Sequence, residues 1–226
     1  MRLMSTPSTR SDRALVTRRR MVRAAYDLFC ERGYLGTTIS EVAKQAGVAV
    51  PTIYYTFGTK VALLEESLGA AIVGFDRWRE PPSDPDMSEL LPWHHWWAPF
   101  DSATTSDAAF DIFFSNGLSI LERVAPLAAA LHGAAGDPEA AEVMRVSEKR
   151  RVAAYREAVR AMAGKRGGLR TGLTPAMATD ILVVLFSADL YQSIRTDRGW
   201  STVRTTTFLR DLLSAQLLED PRRPRP

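Results

Sequence analysis

Residues 37–60 read TTISEVAKQAGVAVPTIYYTFGTK, and this stretch decides the fold of the N-terminal part of the chain. Thr38 followed three residues later by Glu41 forms a capping box, which marks the start of a helix. Gly47 ends that helix, because glycine readily takes the positive φ of a helix end. Pro51 then falls in the first turn of a second helix, where its missing N–H group costs nothing. The pattern predicts a helix-turn-helix, whose second helix enters the DNA major groove.

The same stretch resembles a known family. Residues 47–64, GVAVPTIYYTFGTKVALL, are similar to the DNA-binding signature of TetR-type transcriptional regulators, and the resemblance extends back to about Arg19. Two positions depart from the usual pattern: Ala49 stands where a capping Ser is frequent, and Thr56 stands where His is common. The resemblance implies an all-α chain, with a three-helix DNA-binding domain followed by a six-helix ligand-binding and dimerisation domain.

The charge is distributed unevenly along the chain. Residues 1–64 contain ten Arg and Lys against four acidic residues, whereas the whole chain has a net charge of only +3. A basic head on a mildly acidic body indicates a polyanionic partner for the head alone.

The chain is predicted to contain two folded domains between two disordered ends. The expected parts are a disordered basic arm at 1–15, a helix-turn-helix domain at 16–62, a body at 63–219 and a disordered tail at 220–226. Helices outside the helix-turn-helix are expected at about 17–32, 59–78, 106–123, 126–134, 138–164, 175–197 and 201–218. Proline-rich residues 80–105 are expected to be irregular, since prolines forbid a long helix there.

The last two predicted helices indicate a subunit interface. Ile181–Phe186 is apolar on every side, and a helix of that kind must be buried on both faces. Leu209, Leu213 and Leu217 form part of an apolar stripe on the following helix. We therefore expect a homodimer through the helices at about 175–197 and 201–218, forming a four-helix bundle, and the TetR resemblance implies the same.

A two-fold dimer would recognise a palindromic operator in double-stranded DNA. Val50 and Pro51 have no hydrogen-bond donors, so they can touch thymine methyl groups but cannot read guanine by hydrogen bonding. The hydroxyls of the threonines and tyrosines, and the Lys60 ammonium, are suited to phosphate oxygens. The candidate DNA-binding residues are Thr37, Thr38, Val50, Pro51, Thr52, Tyr54, Tyr55 and Lys60.

The body is expected to bind a small-molecule effector between its helices. The candidates are aromatic side chains, each of which can equally be plain core, and polar residues that interrupt apolar patterns. They are Trp93, Trp96, Trp97, Phe113, Phe114, Asn116, Tyr155, Phe186 and Asp189. No cofactor is expected, and His94 with His95 is not a predicted metal site, because adjacent helical residues point about 100° apart.

The favoured function is a sequence-specific transcriptional regulator, most simply a homodimeric repressor that a small-molecule ligand releases from a palindromic operator. A transcriptional activator and an architectural DNA-binding protein stay open as alternatives. An enzyme is not expected, because the chain has no nucleophile elbow, Walker loop or HExxH motif. A cytoplasmic location without membrane insertion is expected, because Cys30 is alone and the apolar run Ile181–Phe186 is too short for a span.

Overall fold

The computed structural model describes residues 10–78 and 87–219 of the chain. All regular structure in these residues is helical, apart from one isolated bridge between Thr105 and Arg166. The all-α prediction is therefore confirmed. The chain divides into two compact units, one made of residues 1–81 and 130–143, the other of residues 82–129 and 144–226.

The helices of the described residues follow one another in this order. They are α1 Arg10–Gly36, α2 Ile39–Ala46, α3 Val50–Phe57, α4 Lys60–Val73, α5 Met87–Leu90, α6 Trp97–Ser102, α7 Ser106–His132, α8 Pro138–Ala163, α9 Pro175–Leu185, α10 Ala188–Gln192 and α11 Thr202–Leu217. A 3₁₀ turn at Leu91–Trp93 precedes α6, and a π-helical turn at Ser193–Asp197 follows α10.

In the first unit α2 and α4 pack on α1, and α3 packs on α2 and α4. Phe29, Val42 and Ile53 are buried at its centre, from α1, α2 and α3 respectively. Ser67 of α4 is also buried, and its hydroxyl donates to the carbonyl of Leu63 at 2.7 Å, which satisfies this buried polar group.

The ends of two helices in the first unit differ from those expected. Helix α1 begins at Arg10, so residues 10–15 of the predicted disordered arm are helical, while residues 1–9 lie outside the described residues. Helix α4 ends at Val73 instead of continuing to about Trp78, because Gly74 takes a φ of 104°. The predicted tail at 220–226 also lies outside the described residues.

Helix α7 is continuous where two helices were predicted. Pro126 lies inside it and removes one backbone hydrogen bond, yet the helix runs on to His132. Leu121 and Ala125 before the proline, and Leu127 and Leu131 after it, are all buried. Packing on both sides of Pro126 therefore outweighs the local preference for a break.

The predicted helix over 175–197 is broken in the middle. Helix α9 stops at Leu185, and Phe186 has the non-helical angles φ −118° and ψ 57°. Ser187 then caps α10, because its side chain accepts a hydrogen bond from the Leu190 N–H at 3.3 Å. An N-cap serine with Asp189 in the first turn is a recognisable start signal, and here it divides an otherwise uninterrupted apolar pattern.

One stretch, Pro175–Asp197, is long and apolar enough to cross a membrane by length and composition alone. Core helices of soluble proteins pass the same test, and 33% of the tested window is buried inside the fold. The stretch also contains the break at Phe186 described above.

Candidate functional site

The recognition helix α3 presents one face to solvent and anchors itself by the other. Tyr55 is 92% exposed and Tyr54 is 52% exposed, whereas Ile53 and Phe57 are buried against the first unit. Pro51 is exposed, and Val50 and Thr52 are half-buried. The helix therefore offers a short surface of apolar and hydroxyl groups, without a charged side chain, to a partner.

The turn before α3 has the predicted geometry. Thr38 caps α2, its hydroxyl accepting from the Glu41 N–H at 3.2 Å while Glu41 Oε2 accepts from the Thr38 N–H at 2.9 Å. Gly47 takes the left-handed conformation with φ 64° and ends α2. The hydrogen bonds from Thr38, helped by Arg32, hold the pKa of the Glu41 carboxyl below its usual range.

Helix α3 itself lacks a side-chain cap. Ala49 has the extended backbone of an N-cap, φ −77° and ψ 147°, but makes no capping hydrogen bond. Pro51 has no N–H group, and the Thr52 N–H donates to the Ala49 carbonyl at 2.9 Å, so the backbone itself satisfies the start of α3. Thr56, the other unusual position, donates its hydroxyl to the Thr52 carbonyl at 2.8 Å and so stays within its own helix.

Thr37 is not a DNA contact, contrary to its prediction. It is only 1% exposed, and its hydroxyl lies 2.9 Å from the Gly33 carbonyl oxygen and 3.1 Å from that of Leu28. Its role is to join the end of α1 to the start of α2. Thr38 is exposed, but its hydroxyl is also 2.7 Å from Glu41 Oε2, so a phosphate would have to share it with the capping box.

Lys60 lies at the start of α4 and is half-buried. Its Nζ atom is 4.2 Å from the centre of the Tyr34 ring, a cation–π contact that holds the ammonium in place. Burial lowers the pKa of Lys60 from its ordinary value of 10.5, and the Asp137 carboxylate acts in the opposite direction. The contact with Tyr34 is one that the sequence pattern did not predict.

In the second unit most of the predicted effector residues meet in one aromatic cluster. Phe113 and Phe114 of α7 lie with their ring centres 5.8 and 5.5 Å from that of Phe186. Tyr155 of α8 lies 5.7 Å from Phe113, and Trp96 lies 6.2 Å from it. Phe114 stacks on Phe186, Tyr155 and Trp96 meet Phe113 edge to face, and Phe113 is tilted by 50° to Phe186.

Phe186 is seated on a glycine of the neighbouring helix. A Cβ atom at Gly117 would lie 2.5 Å from Cε1 of the Phe186 ring, so only glycine leaves room for it. Phe186 itself is fully buried. This pair could not be predicted from local pattern, because Gly117 lies within an uninterrupted helical stretch.

The helix break beside Phe186 is closed by side chains from α8. The Tyr155 hydroxyl donates to the Phe186 carbonyl at 2.6 Å, and both terminal nitrogens of Arg151 donate to the Val183 carbonyl at 3.1 Å. Arg151 is held in turn by Glu148, with Nε 2.8 Å from Oε2. These bonds satisfy carbonyls that a helix end otherwise leaves open, and burial raises the pKa of Tyr155 so that it stays a donor.

The other effector candidates lie elsewhere or are already engaged. Asn116 donates to the Ile112 carbonyl of its own helix at 2.8 Å, and Asp189 is exposed in the first turn of α10. Trp97 packs on the cluster through Phe100, while Trp93 is half-buried in the 3₁₀ turn. Neither Asn116 nor Asp189 is the buried, inward-facing polar group that the prediction required.

A cleft lies outside the aromatic cluster, on the surface between α8 and α9. It has a volume of about 260 Å³ and is lined by Val152, Arg156, Arg160, Pro175, Ala176, Thr179 and Asp180. No cluster of three metal-ligating side chains occurs in the described ranges. Near the 3₁₀ turn, burial lowers the pKa of His94 to about 4, which favours the neutral ring.

The comparisons with known proteins agree with this geometry. Residues 21–67 match the sequence model of the family described as bacterial regulatory proteins, tetR family. No curated protein matches the chain at a significant level.

Solved structures share the fold across most of the chain. A Saccharomonospora viridis protein described as a transcriptional regulator, in complex with choline, is 18% identical with a TM-score of 0.65, over 90% of this chain and 98% of its own. The regulator FadR from Bacillus subtilis, with stearoyl-CoA, is 18% identical with a TM-score of 0.63, over 86% and 96%. NalD from Pseudomonas aeruginosa, the secondary repressor of the MexAB-OprM efflux pump, is 21% identical with a TM-score of 0.62, over 92% and 99%.

At these identities the solved structures establish the fold, while the match at 21–67 covers the helix-turn-helix whose caps, turn and exposed recognition helix are described above. Both the fold and this match are those of DNA-binding regulators of transcription. Residues 21–67 thus form a helix-turn-helix of the kind described as bacterial regulatory proteins, tetR family.

Proposed function

We propose that this protein is a homodimeric repressor that a small-molecule effector releases from a palindromic operator. The observation that carries the proposal is the recognition helix, which exposes Tyr54 and Tyr55 while Ile53 and Phe57 fix it to a buried core. A rigidly anchored short helix with an exposed outer face is the arrangement that enters the major groove.

The exposed groups of the head divide between the DNA backbone and the bases. The Lys60 ammonium and the tyrosine hydroxyls reach phosphate oxygens. Val50 and Pro51 contact thymine methyl groups, and Thr52 and Tyr55 can reach base edges. Since α3 has no Arg, Asn or Gln, the operator half-site is expected to be read through thymine and shape more than through guanine.

The dimer is supported by apolar side chains that the single chain leaves exposed on its last helices. Met177 and Val184 on α9 are 52% and 66% exposed, and Phe208 on α11 is 40% exposed. Met177, Ile181 and Val184 follow one another at i, i+4 and i+7, so they form one stripe. A second copy would bury this stripe against its own, as an isologous interface requires.

A lipid bilayer is a poorer partner for the same stretch. Asp180 and Asp189 are exposed on α9 and α10, and a carboxylate facing hydrocarbon costs about 2.5–3.5 kcal/mol or more. The helix break at Phe186 adds backbone groups that a span would have to satisfy within the membrane. A protein–protein interface tolerates both features at its rim.

We place the effector in the aromatic cluster of the second unit. An effector would enter by separating the rings of Phe113, Phe114, Tyr155 and Phe186. The Tyr155 hydroxyl and the Arg151 guanidinium would then exchange their bonds to the Phe186 and Val183 carbonyls for bonds to the effector. A largely apolar molecule with one hydrogen-bond acceptor suits this chemistry. Choline and stearoyl-CoA are bound by the S. viridis and B. subtilis proteins, and these ligands differ too much to name one for this chain.

The first test is selection of bound fragments from a random duplex pool, followed by sequencing. An enriched inverted repeat is expected, because two recognition helices related by a two-fold axis read the same half-site twice. Folded protein that enriches no sequence would contradict operator recognition and would favour an architectural role, which also shows a steep salt dependence.

The second test concerns the dimer. Val184→Glu is expected to convert the dimer into monomers and to weaken operator binding at least about a hundredfold, since both half-sites then bind independently. Val16→Glu is the matched control, because Val16 on α1 is also a valine and is 62% exposed. Mass measurement by light scattering decides the result, and a Val184→Glu protein that stays dimeric would contradict the interface.

A further inference from the structure

Glu66 of α4 lies at the centre of a polar network in the first unit. Its carboxylate accepts two hydrogen bonds from Arg18 of α1, one of them from Nε at 2.9 Å. The same carboxylate accepts a third from the Trp78 indole nitrogen at 3.3 Å. The side chains of Arg18 and Glu66 are only 18% and 13% exposed, so solvent screens this ion pair far less than a surface pair.

The partners of Glu66 extend the network to the recognition helix. The Arg18 guanidinium lies 5.2 Å from the centre of the ring of Phe57, the last residue of α3. Phe57 is buried, so its position sets where the end of α3 lies. One carboxylate therefore joins α1 and α4 directly, and reaches α3 through Arg18.

Trp78 is held from three sides. Its carbonyl accepts from Arg19 Nε at 2.9 Å, its indole donates to Glu66, and its ring rests on Gly69, where a Cβ would come within 2.6 Å. Trp78 is buried although it lies beyond the end of α4. It is also the last described residue before 87, near the point where the chain passes into the second unit.

We propose that Glu66 is a positioning residue for operator recognition, which sets the placement of α3 through Arg18 and Phe57 and secures the exit of the chain through Trp78. Neither Glu66 nor Arg18 belongs to the exposed face that meets DNA. The inference rests on the proposed operator binding and adds a determinant of specificity outside that face.

The sign of the expected effect separates this role from simple electrostatics. Removing an acidic side chain makes the basic head more positive, and more positive proteins bind DNA more tightly and less selectively. A positioning role predicts the opposite for the operator alone, because a misplaced α3 loses contacts with base edges while phosphate attraction persists.

The experiment compares Glu66→Ala and Glu66→Gln with Glu65→Ala, using the full chain. Glu65 is the neighbouring residue on α4 and is exposed, so its removal changes the net charge equally without touching the network. Affinity is measured for the selected operator and for a scrambled duplex of equal length, at two salt concentrations. Circular dichroism at the working temperature confirms that each variant is folded.

We expect Glu66→Ala to weaken operator binding at least about tenfold, while scrambled DNA is bound as well as or better than by the natural protein. Glu66→Gln should fall in between, because its amide oxygen can still accept from Trp78. Glu65→Ala should leave the ratio of the two affinities unchanged. If Glu66→Ala is unfolded, Glu66→Gln decides the result by the same ratio.

Unchanged specificity in both folded Glu66 variants would overturn the proposal, as would an equal loss on operator and scrambled DNA. Failure of the proposed function would look different, because the natural protein would then show no preferred sequence at all.

Discussion

Two aromatic rings in this protein rest on helix glycines, one in each unit, and they are held in different ways. A Cβ at Gly69 would meet Trp78 at 2.6 Å, and one at Gly117 would meet Phe186 at 2.5 Å. Trp78 is fixed mainly by two hydrogen bonds: its indole nitrogen donates to Glu66, and its backbone carbonyl accepts from Arg19. Phe186 is enclosed by other rings and carries the break between α9 and α10.

The two rings differ in how far each can move when the glycine beside it gains a side chain. Atoms at the far edge of Trp78 face Gly69, so a small tilt relieves a new contact there. Phe186 has neighbours on all sides and cannot move without disturbing Phe113, Phe114 and the backbone at the break. Close-packed cores resist such changes more than polar edges do.

Gly117→Ala should have the largest effect on stability. The added methyl group overlaps the enclosed Phe186 ring, and overpacking of this kind costs about 1–3 kcal/mol. The helix preference for alanine over glycine offsets about 1 kcal/mol of this cost. Urea unfolding measures the loss. Combining Gly117→Ala with Phe186→Leu should restore part of the stability in a double-mutant cycle. Full additivity of the two changes would show that the new methyl group and the Phe186 ring do not compete for this space.

Tyr155→Phe should come next. It removes the hydrogen bond to the Phe186 carbonyl and leaves that oxygen with Arg151 at a longer 3.4 Å. A loss of about 1 kcal/mol in urea unfolding is expected. Tyr55→Phe serves as the control, because Tyr55 is 92% exposed and its hydroxyl should not affect stability; equal losses in both variants would contradict the role of the helix break.

Ala49→Ser should stabilise the first unit by about 0.5–1 kcal/mol. A serine hydroxyl at this N-cap can accept a hydrogen bond from the Thr52 N–H, whereas alanine has no side-chain acceptor. Thr38→Ala, which removes an existing cap, should destabilise by about 1 kcal/mol. Thermal unfolding of both variants tests the pair, and a shift of the same sign in each would show that capping does not govern these helices.

Gly69→Ala should have the smallest net effect on stability. Alanine is favoured over glycine in a helix by about 1 kcal/mol, which offsets the cost of tilting Trp78. A change within about 0.5 kcal/mol is expected, together with weaker operator binding because Trp78 leaves Glu66. If Gly69→Ala destabilised as strongly as Gly117→Ala, the contrast between the two rings would be wrong.

The two units also differ in how much of their structure could be predicted from the sequence. In the first unit the cap at Thr38, the helix end at Gly47 and the place of Pro51 in the first turn of α3 were all predicted and are confirmed, because each follows from residues a few positions apart. The contacts of Glu66 could not be predicted, since Arg18 is 48 residues away in the sequence.

In the second unit local signals were less decisive. The helix predicted at about 138–164 is confirmed as Pro138–Ala163. Pro126 did not break α7, however, and Ser187 did break the helix predicted over 175–197. The continuity of α7 depends on packing against other helices, whereas the break before α10 follows from the local cap at Ser187. Thr37 was expected at DNA because threonine hydroxyls suit phosphates, but its position between α1 and α2 buries it. The Gly117–Phe186 contact joins residues far apart in the chain and gives no local signal.

We propose above that two copies of this chain bind one operator. The most direct test titrates the protein onto the selected inverted repeat and onto a single half-site of equal length, with the mass of each complex measured in solution. We expect two chains per inverted repeat and at least about a hundredfold weaker binding to the half-site. One chain per duplex, with equal affinity for both sequences, would contradict it.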